Sequence, residues 1–203
     1  VLPFMSTLVC AVNEEYVNND YRLGPNDQVA LIPPVSGGAP SGDETDAAHF
    51  QVTEQPLDPQ RLTDLVRRDE SGAVALFHGV VRNHSQGRRV LYLEYDAYPS
   101  MALKKMREVA DEARSRWQIT DIAIAHRTGR LEIGETSLVV AVSAAHRREA
   151  FEACHHAVDR IKEIVPVWKK EVWEGGESWV EGHPVNAGNA SAADGEAPAA
   201  AKK

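Results

Sequence analysis

Between Arg148 and Val165 apolar residues return every three or four positions, at Phe151, Cys154, Val158, Ile161 and Val165, and the run stops at Pro166. A 3.6-residue period held this long predicts an amphipathic helix with one face on a core, and a proline, which cannot continue a helix, predicts its end. The next residues, VWKKEVW, suit a pleated surface better than another helical turn, so a short strand is expected directly behind the helix. A one-sided helix and the strand that follows it need a sheet against which both can pack.

The rest of the chain from about Phe50 supplies such a sheet. GAVALFHGVVR and RRVLYLEYDA are strand-like runs joined by the polar NHSQG, which predicts an antiparallel pair with a mobile loop. Ser100 is expected to cap the following helix, with Pro99 just outside it, and Leu103, Met106, Ala110, Ala113 and Trp117 recur at helical spacing. ITDIAIAHRTG and ETSLVVAVSAA read as two further strands around a turn near Gly134. The expected class is α+β with mainly antiparallel pairing.

Three other stretches differ in kind. Residues 39–48, APSGDETDAA, have the composition of a linker, and residues 186–203 are rich in Ala, Gly and Asn with nothing to bury, so disorder is expected there. In residues 1–38, STLVCAVN and DQVALI predict two strands of a small sheet, with a turn signal at Gly24, Pro25 and Asn26. So short a segment cannot close a core alone; it is either the end of a truncated domain, the favoured expectation, or it borrows a partner surface. The first residue is Val1, so a fragment or a processed product is expected.

Charge and cysteine content narrow the function classes. A formal charge of -8 without a segregated basic face argues against nucleic acid as a partner. There is no apolar run long enough to span a bilayer and no secretory signal pattern, so a soluble protein away from the membrane is expected. Cys10 and Cys154 lie far apart in unlike contexts, which argues against a disulfide framework or a thiolate metal site and fits a reducing, cytoplasmic setting.

Several residues carry candidate chemistry, each with a competing reading. At 100° per residue Lys162 projects about 20° from Phe151, on the shoulder of the apolar stripe, and a half-buried lysine there can supply a neutral amine. The competing reading is a snorkelling lysine whose stem covers the core. Lys169 could approach Lys162 if the chain turns back at Pro166, but Lys169 and Lys170 must face opposite ways on a strand, and periodicity does not choose between them. His146, Arg147 and Arg148 mark a strand-to-helix junction, where backbone amides favour anions; they either hold a phosphate or solvate the junction. Arg82, beside Asn83 and His84, has the same ambiguity.

Other groups read more simply. His155 and His156 diverge on a helix, which is poor metal geometry, so no metal site is expected. Cys154 falls on the stripe and reads as a small core residue, Glu132, Glu135 and Glu171 as solubilising carboxylates, and Trp168, Trp173 and Trp179 as packing residues. In DQVALIPPVSGG, Pro33 and Pro34 stiffen an extended arm that ends at Gly37 and Gly38, and side-chain-free glycines let such an arm thread a narrow channel; an ordinary Gly-Gly linker is the alternative.

Taken in order, FHGVVRNHSQG, LEYDAYPSMA, IAHRTGRLEIGE, SAAHRREAFEA and KEIVPVWKKE make the stretch from Phe50 to Val185 resemble the large, catalytic subunit of molybdopterin synthase. The resemblance implies a hammerhead-like α/β fold over residues 49–185 and a homodimer with pockets near the subunit interface. It implies a pterin phosphate substrate, cyclic pyranopterin monophosphate, and no tightly bound cofactor. The matching positions are Lys162 and Lys169 as catalytic lysines, Arg82 and Phe77 in the pocket, and His146 with Arg147 as an anion-binding pair from the neighbouring subunit. Val158 stands where the family pattern would place a longer apolar residue such as Met.

Residues 1–38 resemble the C-terminal half of the small, ubiquitin-like sulfur-carrier subunit, a partial β-grasp whose terminal Gly-Gly bears a thiocarboxylate. Carrier and catalytic parts are thus expected in one fused chain. Because Gly38 is in peptide linkage to Ala39, and a thiocarboxylate forms only on a free C-terminus, this arm can deliver sulfur only after cleavage behind Gly38. Two other classes compete: a non-enzymatic scaffold that binds a phosphorylated small molecule or a ubiquitin-like tail, and a carrier precursor whose mature form ends at Gly38.

Overall fold

A computed structural model describes residues 9–18, 20–32 and 44–180. The arm of Gly37 and Gly38, the tail from Asn186, and residues 39–43 of the linker lie outside these residues. Strands β1 (Val9–Val12), β2 (Glu15–Val17) and β3 (Val29–Ile32) form a small antiparallel sheet in the order β2-β1-β3. The β1–β2 turn places Asn13 and Glu14 at positive φ, 51° and 64°. The Asn13 side chain ties this turn to the approach of β3, accepting from the Gln28 amide at 3.0 Å and donating to Asp27 at 2.8 Å. Two strands were expected here; the third, EYV, is too short to show a period.

This sheet completes its core on the rest of the chain. Ala11 packs with Met101, both fully buried, flanked by Tyr16, Ala30, Tyr98 and Trp168. Beside them Lys105 is buried and donates to Glu15 at 2.8 Å and Glu108 at 2.7 Å.

A six-residue helix, α1 (Glu44–His49), starts inside the stretch whose composition reads as linker, and leads into β4 (Phe50–Thr53). Then come α2 (Pro59–Val66), capped by the Asp58 side chain, β5 (Ala73–Val80), β6 (His84–Ser85), β7 (Arg88–Ala97) and α3 (Pro99–Arg116). The chain continues through β8 (Ile119–Arg127), β9 (Gly129–Glu132), β10 (Thr136–Ala144), α4 (Arg147–Ile164), β11 (Val167–Trp173) and β12 (Gly176–Val180).

One sheet has the order β4-β8-β10-β5, with only the β4–β8 pair parallel. Helices α3 and α4 cover one face through Met106, Val109, Ala157 and Ile161 against Ile122, Ile124 and Val140. Helix α2 covers the other through Leu62 and Val66 against Ala123, Val139 and Ala141. Burial on both faces explains why β8 and β10 are nearly continuous apolar runs instead of alternating ones. The second sheet has the order β12-β11-β7-β6, with β9 also on β7. The fold is α+β and mainly antiparallel, as expected.

Several local expectations give way. The runs at β5 and β7 do not pair with each other: β5 pairs with β10, and β7 with β11 and β9. The NHSQG segment instead folds back on β7 as a two-residue strand, turning through Gln86 and Gly87 at φ 47° and 77°. Helix α3 is capped at Tyr98, not Ser100, with Pro99 inside its first turn, where a missing N–H costs nothing. Phe151 is 64% exposed, because the buried face of α4 runs through Ala150, Ala153, Cys154, Ala157, Val158 and Ile161. Small alanines let that face lie close to β10, leaving Phe151 on the rim.

Candidate active site

Strand β11 decides which lysine faces inward. Alternation puts Lys169 and Glu171 on one face and Trp168 and Lys170 on the other. Lys170, opposite Glu94 of β7 and Trp179 of β12, bonds to Glu94 and lies 3.5 Å from Glu177, its ammonium over the Trp179 ring. Lys169, opposite Tyr95 and Val180, lies 3.3 Å from Glu171.

The Lys169 face borders a cavity of about 650 Å³ enclosed by both sheets and the end of α4. Helix α4 ends at Ile164; Pro166 and a Val167 amide to Val165 carbonyl bond at 2.8 Å turn the chain into β11. Lys162 from the last turn of α4 and Lys169 from β11 therefore line the same cavity, joined by Arg82 beyond β5 and Phe77 on β5. Lys162 is exposed, not half-buried as its helical angle predicts, because the shoulder of the stripe opens onto this cavity.

His146 and Arg147 are not brought to it. They are the cap and first residue of α4, both exposed, roughly 24 Å from Lys162 at 1.5 Å per residue.

The cavity floor is polar but committed. Ser137 donates to the Gly79 carbonyl at 3.0 Å. Burial raises the Tyr95 phenol above its ordinary range, with nearby Ser137 opposing the rise and Glu171 adding to it. His126 is buried edge-on to Tyr95, with ring centroids 5.2 Å apart and Nδ1 2.9 Å from the Arg127 carbonyl. Burial pushes this imidazole down to about 4, so it is neutral at pH 7.

Comparison with known proteins identifies this architecture. Residues 52–164 match the family described as MoaE protein. The chain belongs to the MoaE family. Over 131 residues, 64% of this chain and 84% of the relative, it is 50% identical to the molybdopterin synthase catalytic subunit of Halalkalibacterium halodurans. The crystal structure of molybdopterin synthase from Staphylococcus aureus superimposes with a TM-score of 0.64 at 39% identity, covering 66% of this chain and 97% of that one. The complex of subunits 1 and 2 of molybdopterin-converting factor from Helicobacter pylori shares the fold, with a TM-score of 0.55 at 20% identity, covering 66% of this chain and 91% of that one. Residues 4–38 match the ThiS family, so a ubiquitin-like carrier segment precedes the MoaE part in one chain. This MoaE chain is an enzyme of molybdenum cofactor biosynthesis.

Within the MoaE part, sequence reasoning misjudged some groups and missed others. Glu171 is buried against Lys169, and Glu135 bonds Arg127 at 2.9 Å and the Glu132 amide at 2.7 Å, so neither merely solubilises. The i, i+2 spacing of Lys169 and Glu171 was a legible signal of a shared face. His126, Tyr95 and Ser137 come from three strands and carried no local signal. Cys154 is a core residue: burial pushes its thiol to about 11, and Sγ lies 3.8 Å from the Val140 carbonyl. His156 bonds Glu112 at 3.2 Å, and among the described residues no group of three potential ligands could hold a metal. No described helix is long and apolar enough to cross a membrane.

Proposed function

We propose that this chain transfers sulfur from the C-terminal thiocarboxylate of a ubiquitin-like carrier to cyclic pyranopterin monophosphate, forming the dithiolene of molybdopterin in the cytoplasm. The reading is carried by one observation: Lys162 from α4, Lys169 from β11 and Arg82 line a single cavity of about 650 Å³, a size suited to a small phosphorylated heterocycle. Arg82 holds the phosphate by charge-assisted hydrogen bonds, and His146 and Arg147 reach it from a second copy. Their distance from Lys162 within one chain supports a homodimer as the working form. Leu76 and Val80, exposed on the edge strand β5, and Phe151 on α4 offer apolar surface for that contact.

The thiocarboxylate sulfur attacks an oxygen-bearing carbon of the pterin side ring, and the C–S bond forms as that carbon's C–O bond breaks and the departing oxygen takes up a proton. Lys162 acts as nucleophile or proton-transfer group, and Lys169 stabilises the negative charge that develops. Hydrolysis of the acyl–sulfur bond leaves sulfur on the pterin and returns the carrier as a carboxylate, and a second round adds the second sulfur. The carrier is a separate ubiquitin-like subunit or this chain's own arm after cleavage behind Gly38. A single-turnover assay with the pterin and a separately supplied thiocarboxylated carrier tests the reading. Lys162→Ala should still bind the pterin but form no dithiolene, and near-normal turnover would overturn the assignment. Intact mass of the natural product reports whether the arm ends at Gly38.

A further inference from the structure

The cavity's known cations suit a phosphate, but none of them can recognise a heterocycle through its N–H groups. Arg82 and the ammonium forms of Lys162 and Lys169 are donors only. Ser137 gives its proton to the Gly79 carbonyl. His126 differs. A carbonyl only accepts, so the 2.9 Å contact with the Arg127 carbonyl requires the proton on Nδ1, and a neutral imidazole then carries a lone pair on Nε2. Burial, which pushes this histidine down to about 4, favours the neutral form.

Nε2 has no hydrogen-bond partner among the described residues. It is also not one of the enclosed side-chain atoms left without a partner among the described residues, which are Tyr16 Oη and Glu149 Oε2. His126 lines the cavity, so a nitrogen that is neither partnered nor enclosed is within reach of an occupant. The edge-on Tyr95 ring, 5.2 Å away, and the backbone bond fix the imidazole's orientation.

We propose that His126 is a specificity-determining residue of this cavity, its Nε2 accepting a hydrogen bond from an N–H group of the bound pterin. This rests on the sulfur-transfer reading, which makes the occupant a pterin. Pterins carry amino and ring N–H donors, whereas the phosphate end offers only acceptors, so a fixed acceptor orients the molecule with its ring on the floor and its phosphate toward Arg82. An occupant lacking such donors would leave Nε2 unpaired and bind less well.

Calorimetry on the full chain with two probes, cyclic pyranopterin monophosphate and inorganic phosphate, tests this. His126→Asn retains a group near Nδ1 but nothing at Nε2, and should weaken pterin binding up to about tenfold with phosphate binding unchanged. His126→Gln, which places an amide oxygen near Nε2, should recover affinity to within about threefold. Unchanged pterin affinity in the Asn variant, or equal weakening of both probes, overturns the proposal. A measurement on unaltered protein guards against misfolding of the variants: the ¹⁵N signal of Nε2 should be that of an unprotonated imidazole nitrogen and should move with pterin but not with phosphate. If unaltered protein does not bind the pterin, the functional reading fails. If it binds and Nε2 does not respond, only the role of His126 fails.

Discussion

Lys169 and Glu171 occupy the same face of β11, two residues apart, with the ammonium 3.3 Å from the carboxylate, and the carboxylate is the more deeply buried of the two. Glu171 is thereby placed to fix the direction in which Lys169 enters the cavity. Glu171→Gln keeps the side chain's volume and removes the charge. Sulfur transfer in a single turnover should fall about ten- to a hundredfold, the scale expected when a reacting group is misplaced, while pterin affinity changes less than about threefold. A wild-type rate would remove any positioning role.

The adjacent lysine provides the control. Lys169→Ala should lower the rate by about a hundred- to a thousandfold, as removal of a charge-stabilising donor does. Lys170, on the opposite face with Glu94 and Glu177, should be replaceable by Ala at normal rate, with a stability loss under about 1 kcal/mol in chemical denaturation. The reverse pattern would mean that the other face of β11 meets the substrate.

Cys154 should not carry sulfur. Its thiol is held up at about 11 within the α4 core face, so Cys154→Ala should transfer sulfur at the normal rate and lose about 1 kcal/mol of stability. In the native protein a thiol reagent should leave Cys154 unmodified; rapid labelling together with loss of transfer would contradict this.

Helices α3 and α4 are joined by Glu112, which accepts from Arg160 at 2.8 Å through two nitrogens and pairs with His156. Chiefly the Arg160 guanidinium holds this carboxyl below its ordinary value of 4.5. A depressed folded-state value stabilises the fold fully above 4.5, and the contribution is lost as pH falls through the lower folded value. Thermal melts from pH 6 to pH 3 should show a shallower acid decline for Glu112→Gln than for the unaltered chain. Identical slopes would show that the pair contributes nothing to folding.

The carrier segment's sheet is held to α3 by Met101 and by Lys105, whose ammonium reaches Glu15. Lys105→Ala should speed hydrogen exchange in β1 and β2 and leave β8 and β10 unchanged. Uniform acceleration across both regions would mean the segment and the catalytic fold open together.

The sequence alone determined what depends on short-range periodicity. The α4 stripe, its stop at Pro166, the strand behind it and the strand runs of β8 and β10 follow from side-chain type and spacing along one segment, and the five ordered motifs carried the family. Cys154 was placed in the core for the same reason. Tertiary structure decided what depends on contacts between distant segments. It separated β5 from β7, since each strand's partner is chosen by which apolar faces can be buried together. It exposed Phe151, since the closeness of α4 to β10 depends on alanines facing the sheet. It selected Lys169 over Lys170, since both satisfy the alternation and only the position of the cavity distinguishes them. It assembled His126, Tyr95 and Ser137 on one floor, because hydrogen bonds between strands leave no mark on the spacing within any one of them.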